Sequence, residues 1–229
     1  MDVIVVSLVA FIASVLTLFS GFGLGTLLMP VVAVFFPLDV AIAITAIVHL
    51  SNNFFKLALV GRGVHLNSFL KFGLPAMLFA FIGAILLTYL SHSSTVLRYS
   101  LFSMELSTTV LNFSIGTLIL FFVFIELSST MSKMAIEKKY LPLGGALSGF
   151  LGGLSGHQGA FRSLFLLKVG LDKKQFIATG VVIAVMVDLA RLTIYGWNYT
   201  TNTIDIDWLM VICATLSAFM GAYIGKKLI

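Results

Sequence analysis

The chain has 229 residues, of which 59% are hydrophobic and 10% charged, with a mean hydropathy of +1.10 and 21 Phe. A soluble domain carries roughly a quarter of its residues as charges, so a water-soluble core is excluded, and lipid or neighbouring helices must solvate most side chains. The formal net charge of +5 rests on no soluble basic domain; its Lys and Arg lie in short loops, which points to membrane topology and away from nucleic acid.

Met1-Asp2 runs directly into the apolar segment Val3 to Phe19. It lacks a basic n-region and a small-residue cleavage site, so the segment is expected to be a mature helix and not a signal peptide. Further apolar segments run from Leu24 to Phe36, Val40 to Val60, Phe69 to Leu90, Tyr99 to Leu127, Leu143 to Leu154, Ala160 to Val169, Phe176 to Tyr195 and Trp208 to Leu228. The second and seventh would be about 20 and 15 Å long at ~1.5 Å per residue, too short to span a bilayer. Each follows a glycine-rich break, SGFGLG at Ser20–Gly25 and SGHQGA at Ser155–Ala160, so both read as halves of interrupted helices. Cys213 is the single cysteine and lies inside an apolar run. An intramolecular disulfide and a cysteine metal cluster are thereby excluded, and no metal or other cofactor is expected.

Laid on itself with an offset of 135 residues, the chain repeats. Ser20-Gly21 falls on Ser155-Gly156, Asn53 on Asp188, Lys56 on Arg191 and Gly61 on Gly196, and a two-residue gap brings Leu38-Asp39 onto Leu171-Asp172. Thus AVMVDLARLTIYG at Ala184–Gly196 has a partner in LSNNFFKLALVG at Leu50–Gly61, each with a polar residue and a cation three apart on one helix face. Such internal symmetry is typical of secondary transporters. The expected fold is an all-α integral membrane protein of two inverted repeats, residues 1–98 and 141–229. Each repeat is an interrupted, re-entrant helix hairpin plus two transmembrane helices. A connecting transmembrane helix and a cytoplasmic loop occupy residues 99–140, and no soluble domain is long enough to stand apart.

Charge sets the expected orientation. If each interrupted segment enters and leaves on one side, Arg62, Lys71, Lys133, Lys138, Lys139, Lys168, Lys173, Lys174, Lys226 and Lys227 share a face and Arg98 alone lies opposite. By the positive-inside rule the N-terminus is then outside and the C-terminus in the cytoplasm of a cell-membrane protein. Asp205 and Asp207, with Trp197, Tyr199 and Trp208 around them, fall at the outer interface, where aromatic belts form.

In this topology the half-helices starting at Leu24 and Ala160 bring their N-termini near the midplane, where unpaired N–H groups and the helix dipoles stabilise an anion. The glycines around them give unwound backbone its permissive dihedrals; Gly145, Gly149 and Gly153, at four-residue spacing, fit close helix packing instead. Asp188 and Arg191 would each cost roughly 2.5–3.5 kcal/mol at a bilayer centre, so something must offset them. Lys56 and Arg191 either snorkel to an interface or face the site. Asp188 is either a structural counter-ion or a proton carrier. His157 and Gln158 lie inside the second break, where His157 binds an anion, shuttles protons or fills the turn. His49 shares a face with Asn52, Asn53 and Lys56, which is expected to line a cavity. Arg162 adds a further cation or pairs with an interfacial group. His65 and His92 are expected to be solvated in loops, and Glu105 and Glu126 at interfaces.

The pattern GFLGGLSGHQGAFRSLFLLKVGLDKKQFIATGVVIAVMVDLARLTIYG, Gly149 to Gly196, resembles the second half-signature of the TauE/SafE family of sulfite and organosulfonate exporters. SGFGLGTLLMP with the following Asn-x-x-Lys helix resembles the first. The likeness covers nearly the whole chain and implies a proton-linked transporter of small sulfur-containing or related organic anions. His157-Gln158 departs from the more glycine-rich second break common in the family.

The resulting expectation is a secondary carrier with a midplane site formed by Gly21, Phe22, Gly23, Gly25, Asn52, Asn53, Lys56, Gly156, His157, Gln158, Gly159, Arg162 and Arg191. Asp188, His49 and His157 are the candidates for proton coupling. Lipid surrounds it, protons couple it, and a homo-oligomer is compatible with the sequence. An anion channel on the same scaffold is the alternative. An intramembrane enzyme would need a nucleophile–base pair or a metal cluster, whereas the histidines are scattered and no carboxylates pair on one helix face.

Overall fold

A computed structural model describes residues 1–20, 24–92, 96–101, 104–127, 136–201 and 206–228. The chain is built from helices, with one small hairpin. Helix α1 (Asp2–Ser20) precedes the first break, and α2 (Leu24–Phe35) follows it; α3 (Leu38–Val60) starts after Pro37 and stops at Gly61. A short α4 (Leu66–Ser68) passes through a π turn (Phe69–Gly73) into α5 (Leu74–Ser91). After the hairpin come α6 (Val110–Leu127), α7 (Leu141–Ser155), α8 (Gly159–Leu166), α9 (Lys173–Thr201) and α10 (Trp208–Lys227). Asp207 caps α10 by accepting a hydrogen bond from the Met210 amide at 3.0 Å.

Among the described residues, four helical stretches are long and apolar enough to cross a membrane: Leu38–Val60, Leu66–Ser91, Lys173–Trp197 and Trp208–Lys227. Helices α2 and α8 are the short pieces the spacing predicts, about 18 and 12 Å long at ~1.5 Å per residue. The connecting segment differs from the expectation of one helix from Tyr99. Strands β1 (Val96–Leu101) and β2 (Met104–Thr109) pair antiparallel, from Val96 opposite Thr109 to Leu101 opposite Met104, and α6 begins only at Val110. The physical reason lies in VLRYSL and MELSTT: polar residues alternate through the first and β-branched threonines end the second, a period-two pattern that satisfies a hairpin better than a lipid-facing helix. His92 is exposed, as expected, while His65 is only partly so. The His65 ring accepts from the Ser68 amide at 3.2 Å to cap α4, and the His92 ring reaches the Thr88 carbonyl at 2.7 Å.

Packing relies on small residues. A Cβ placed on Gly145, Gly149 or Gly153 of α7 would overlap the backbone of Phe72, Ala76 or Ala80 respectively, and one on Gly83 of α5 would overlap Phe150. The two backbones therefore touch at four glycine positions, the contact that dispersion favours where no hydrophobic force acts between helices. Ala10 and Ala13 of α1 lie in one buried cluster with Ala214 and Ala218 of α10, and Gly221 stands against the Phe11 carbonyl. The main helix pairs are α1 with α10, α7 with α5, α3 with α9, α3 with α10, and α9 with α5. Outward-facing residues such as Ile4, Leu8, Ile82 and Ile85 are exposed and apolar, as a lipid boundary requires.

Candidate functional site

The second helix interruption, the start of α2 and two long helices meet at one place. Helix α7 ends when Gly156 adopts a left-handed conformation (φ 82°), its amide bonding back to Gly152. Only glycine takes that dihedral without strain. The chain turns through His157 and Gln158, and α8 starts at Gly159, whose first-turn amides have no partner within the helix. From the N-terminal half of the chain, a Cβ on Gly25 in the first turn of α2 would lie 3.1 Å from the Gly156 carbonyl oxygen. The start of α2 therefore abuts the second break directly.

The polar faces of α3 and α9 converge beside this turn. Asp188 is fully buried: its Oδ2 lies 2.6 Å from His49 Nδ1 and accepts from Asn53 Nδ2 at 2.9 Å, while its Oδ1 pairs with Arg191 Nη2 at 2.8 Å and accepts from Gln158 Nε2 at 3.4 Å. Four groups from α3, α9 and the break thus share one carboxylate, which compensates its desolvation. Arg191 is the largest side chain buried completely. Its Nη1 lies 2.7 Å from where a Gly156 Cβ would sit, so any side chain there would displace the guanidinium. The guanidinium also meets the Tyr195 hydroxyl, which donates to the Gly153 carbonyl at 2.5 Å, and among the described residues neither Nε nor Nη1 has a well-aligned acceptor. A buried guanidinium with donors to spare is short of an anion.

Of the remaining expected residues, Gln158, Arg162 and His157 fall in the same region. Gln158 accepts from Ser148 through its backbone carbonyl at 2.9 Å and from Arg162 Nη1 through Oε1 at 3.5 Å; Arg162 is buried against Gly180 of α9. The His157 ring meets Ser155 Oγ at 3.0 Å and is buried in the turn. Lys56 does not snorkel: it is 4% exposed and donates to Thr17 Oγ1 at 2.5 Å. Asn52 bonds Ser14, and with its amide oxygen turned towards Lys56 Nζ (3.3 Å) its nitrogen reaches the Ala218 carbonyl. Lys56 and Asn52 thus form a second polar group, between α1, α3 and α10, while Asn53 and His49 join Asp188. Gly21, Phe22 and Gly23 lie outside the described residues, as do Asp205 and Lys133.

Ser14, Thr17, Ser148, Ser155 and Tyr195 were not among the expected residues. Ser14 and Thr17 had a signal: two hydroxyls three apart in the largely apolar α1 mark a face that meets polar neighbours. Ser148, Ser155 and Tyr195 had none, since serine in a glycine-rich helix and tyrosine near a helix end are ordinary.

The arrangement can bind an anion and hold a proton. Among the described residues no group of three or more His, Cys, Asp or Glu could hold a metal ion. In comparison with known proteins, the family model described as "Sulfite exporter TauE/SafE" matches residues 6–229. No curated protein and no solved structure matches significantly.

Proposed function

Because the chain belongs to the sulfite exporter TauE/SafE family, and is thus an integral membrane protein of anion export, we propose that it is a proton-coupled secondary carrier. Its substrate is sulfite or a small organosulfonate, bound beside Arg191 between the second break and the start of α2. The observation that carries this reading is the completely buried Arg191, paired on one side with Asp188 and holding unused donors against Gly156. An oxyanion there accepts from the guanidinium and from first-turn amides of α8, with Arg162 and Gln158 behind it.

Carrier action is favoured over a channel by burial. Gln158, Asp188 and Arg191 are each 0% exposed, a closed site that must be opened by moving one half against the other, whereas a channel needs a continuous path. Inverted repeats supply such halves. In support, exchanging α1, α2, α3 and α5 for α7, α8, α9 and α10 turns the pair α1–α10 into α7–α5, α3–α10 into α9–α5, and α3–α9 into itself. Asn53 and Asp188, equivalent under the 135-residue offset, bond each other, as residues beside a two-fold axis would. The His49–Asp188 contact provides a carboxylate and an imidazole within proton-transfer distance.

The test is sulfite efflux from proteoliposomes, with binding to the purified protein read as thermal stabilisation. Wild type should show saturable, gradient-driven flux, and Arg191→Gln should lose binding and flux by at least about tenfold, the loss of one charge-assisted hydrogen bond. If Arg191→Gln lowers only the melting temperature and leaves flux per folded molecule intact, Arg191 is structural and the site lies elsewhere.

A further inference from the structure

Away from the buried site, the ends of three helices surround a cleft of about 730 Å³. The end of α3 contributes Leu59, Val60 and, just beyond it, Arg62; the start of α9 contributes Lys173, Lys174 and Ile177; and the end of α10 contributes Lys226. All four cations are exposed, and among the described residues no carboxylate lines the cleft and none of the four forms an ion pair. Asp172, the nearest acid in sequence, is engaged in capping α9 through the Gln175 amide at 2.8 Å. Four uncompensated positive charges around one opening repel each other and attract an anion.

The shape and lining say which anion. A free inorganic oxyanion gains nothing from walls of Leu59, Val60 and Ile177, and it fills little of the volume. An anion with an apolar body uses both features. The cleft also lies at the ends of membrane-spanning helices, the depth at which lipid headgroups sit, and basic pockets between such helices are suited to anionic headgroups. We propose that this cleft binds the headgroup of an anionic phospholipid, with the phosphate among Arg62, Lys173, Lys174 and Lys226 and the glycerol and upper acyl carbons against the apolar wall. The bound lipid joins the ends of α3 and α9, the two helices that carry the buried polar cluster, to the end of α10. The proposal requires only that the chain spans a membrane and is independent of which anion is transported.

The experiment is native mass spectrometry of the full-length protein titrated with phosphatidylglycerol or phosphatidylcholine. Wild type should retain phosphatidylglycerol at least about tenfold more tightly than phosphatidylcholine, given roughly fivefold in affinity per cation near a membrane surface. The quadruple variant Arg62→Gln, Lys173→Gln, Lys174→Gln and Lys226→Gln should lose that preference, and the charge-preserving variant Lys173→Arg, Lys174→Arg and Lys226→Arg should retain it. All these side chains are exposed, so the variants fold, which thermal melting verifies. Equal retention of both lipids by wild type, or undiminished preference in the quadruple variant, overturns the proposal. So does displacement of the lipid by millimolar glycerol phosphate or sulfite as effectively as by phosphatidylglycerol, since the cleft would then serve free anions. Failure of sulfite transport in the same preparation leaves these readouts unchanged and bears only on the proposed function.

Discussion

Asp188 lies fully buried where the polar faces of α3 and α9 meet the second break, and four side chains share its carboxylate. Facing it are His49, Asn53, Gln158 and Arg191. Asp188→Asn retains most of the hydrogen-bonding shape but removes the titratable group and leaves the buried guanidinium without its counter-charge. We expect it to lower stability by about 3 kcal/mol, as for a broken buried ion pair, and to abolish the acceleration of sulfite flux by an imposed proton gradient. Flux per folded molecule, compared with and without the gradient, decides the second point: a variant that still responds to the gradient removes Asp188 from the proton path.

At the scale of the element, glycine has two different jobs. Gly156 provides a left-handed turn that clears room for Arg191, whereas Gly149 allows α7 to touch the Ala76 backbone of α5. Gly149→Val should therefore force the helices apart and cost about 3 kcal/mol or more, the upper part of the overpacking range. Gly116 of α6 has nothing within 4 Å of an added Cβ, so Gly116→Ala should be neutral or stabilising by up to about 1 kcal/mol through helix propensity. Melting temperatures of the two variants in one detergent check both, and equal values would mean that the α5–α7 seam adapts. The same seam shows the limit of pattern reading. The four-residue glycine spacing announced a close contact but not its partner, because a helix face is periodic in sequence while its neighbour is chosen by the fold.

At the scale of the molecule, the orientation proposed from charge gains support from one assembly feature: Arg62, Lys173, Lys174 and Lys226, from helix ends far apart in sequence, meet around one cleft and so share a membrane face. With Cys213 replaced by Ser, a cysteine at position 205 should react with a membrane-impermeant maleimide on intact cells, and one at position 138 only after lysis. Labelling of both positions from the same side would refute the orientation.

Membrane class, the two short half-helices, the glycine seam and the pairing of Asp188 with Arg191 were legible in the residues themselves. Hydropathy, helical spacing and the cost of burying charge act locally and leave a local trace. The hairpin of residues 96–109 was obscured because its leucines and tyrosine raise hydropathy as much as a helix would, and only strand pairing settles the period. The tertiary structure alone decided that Asn53 and His49 reach across to Asp188, that Lys56 turns instead to Thr17, and that Gly25 backs onto Gly156. These contacts join groups separated by 39 to 139 residues. Helix periodicity places each on a face but says nothing of which faces meet; that is fixed by small-residue packing along the α1–α10 and α5–α7 seams, which sets α3 against α9.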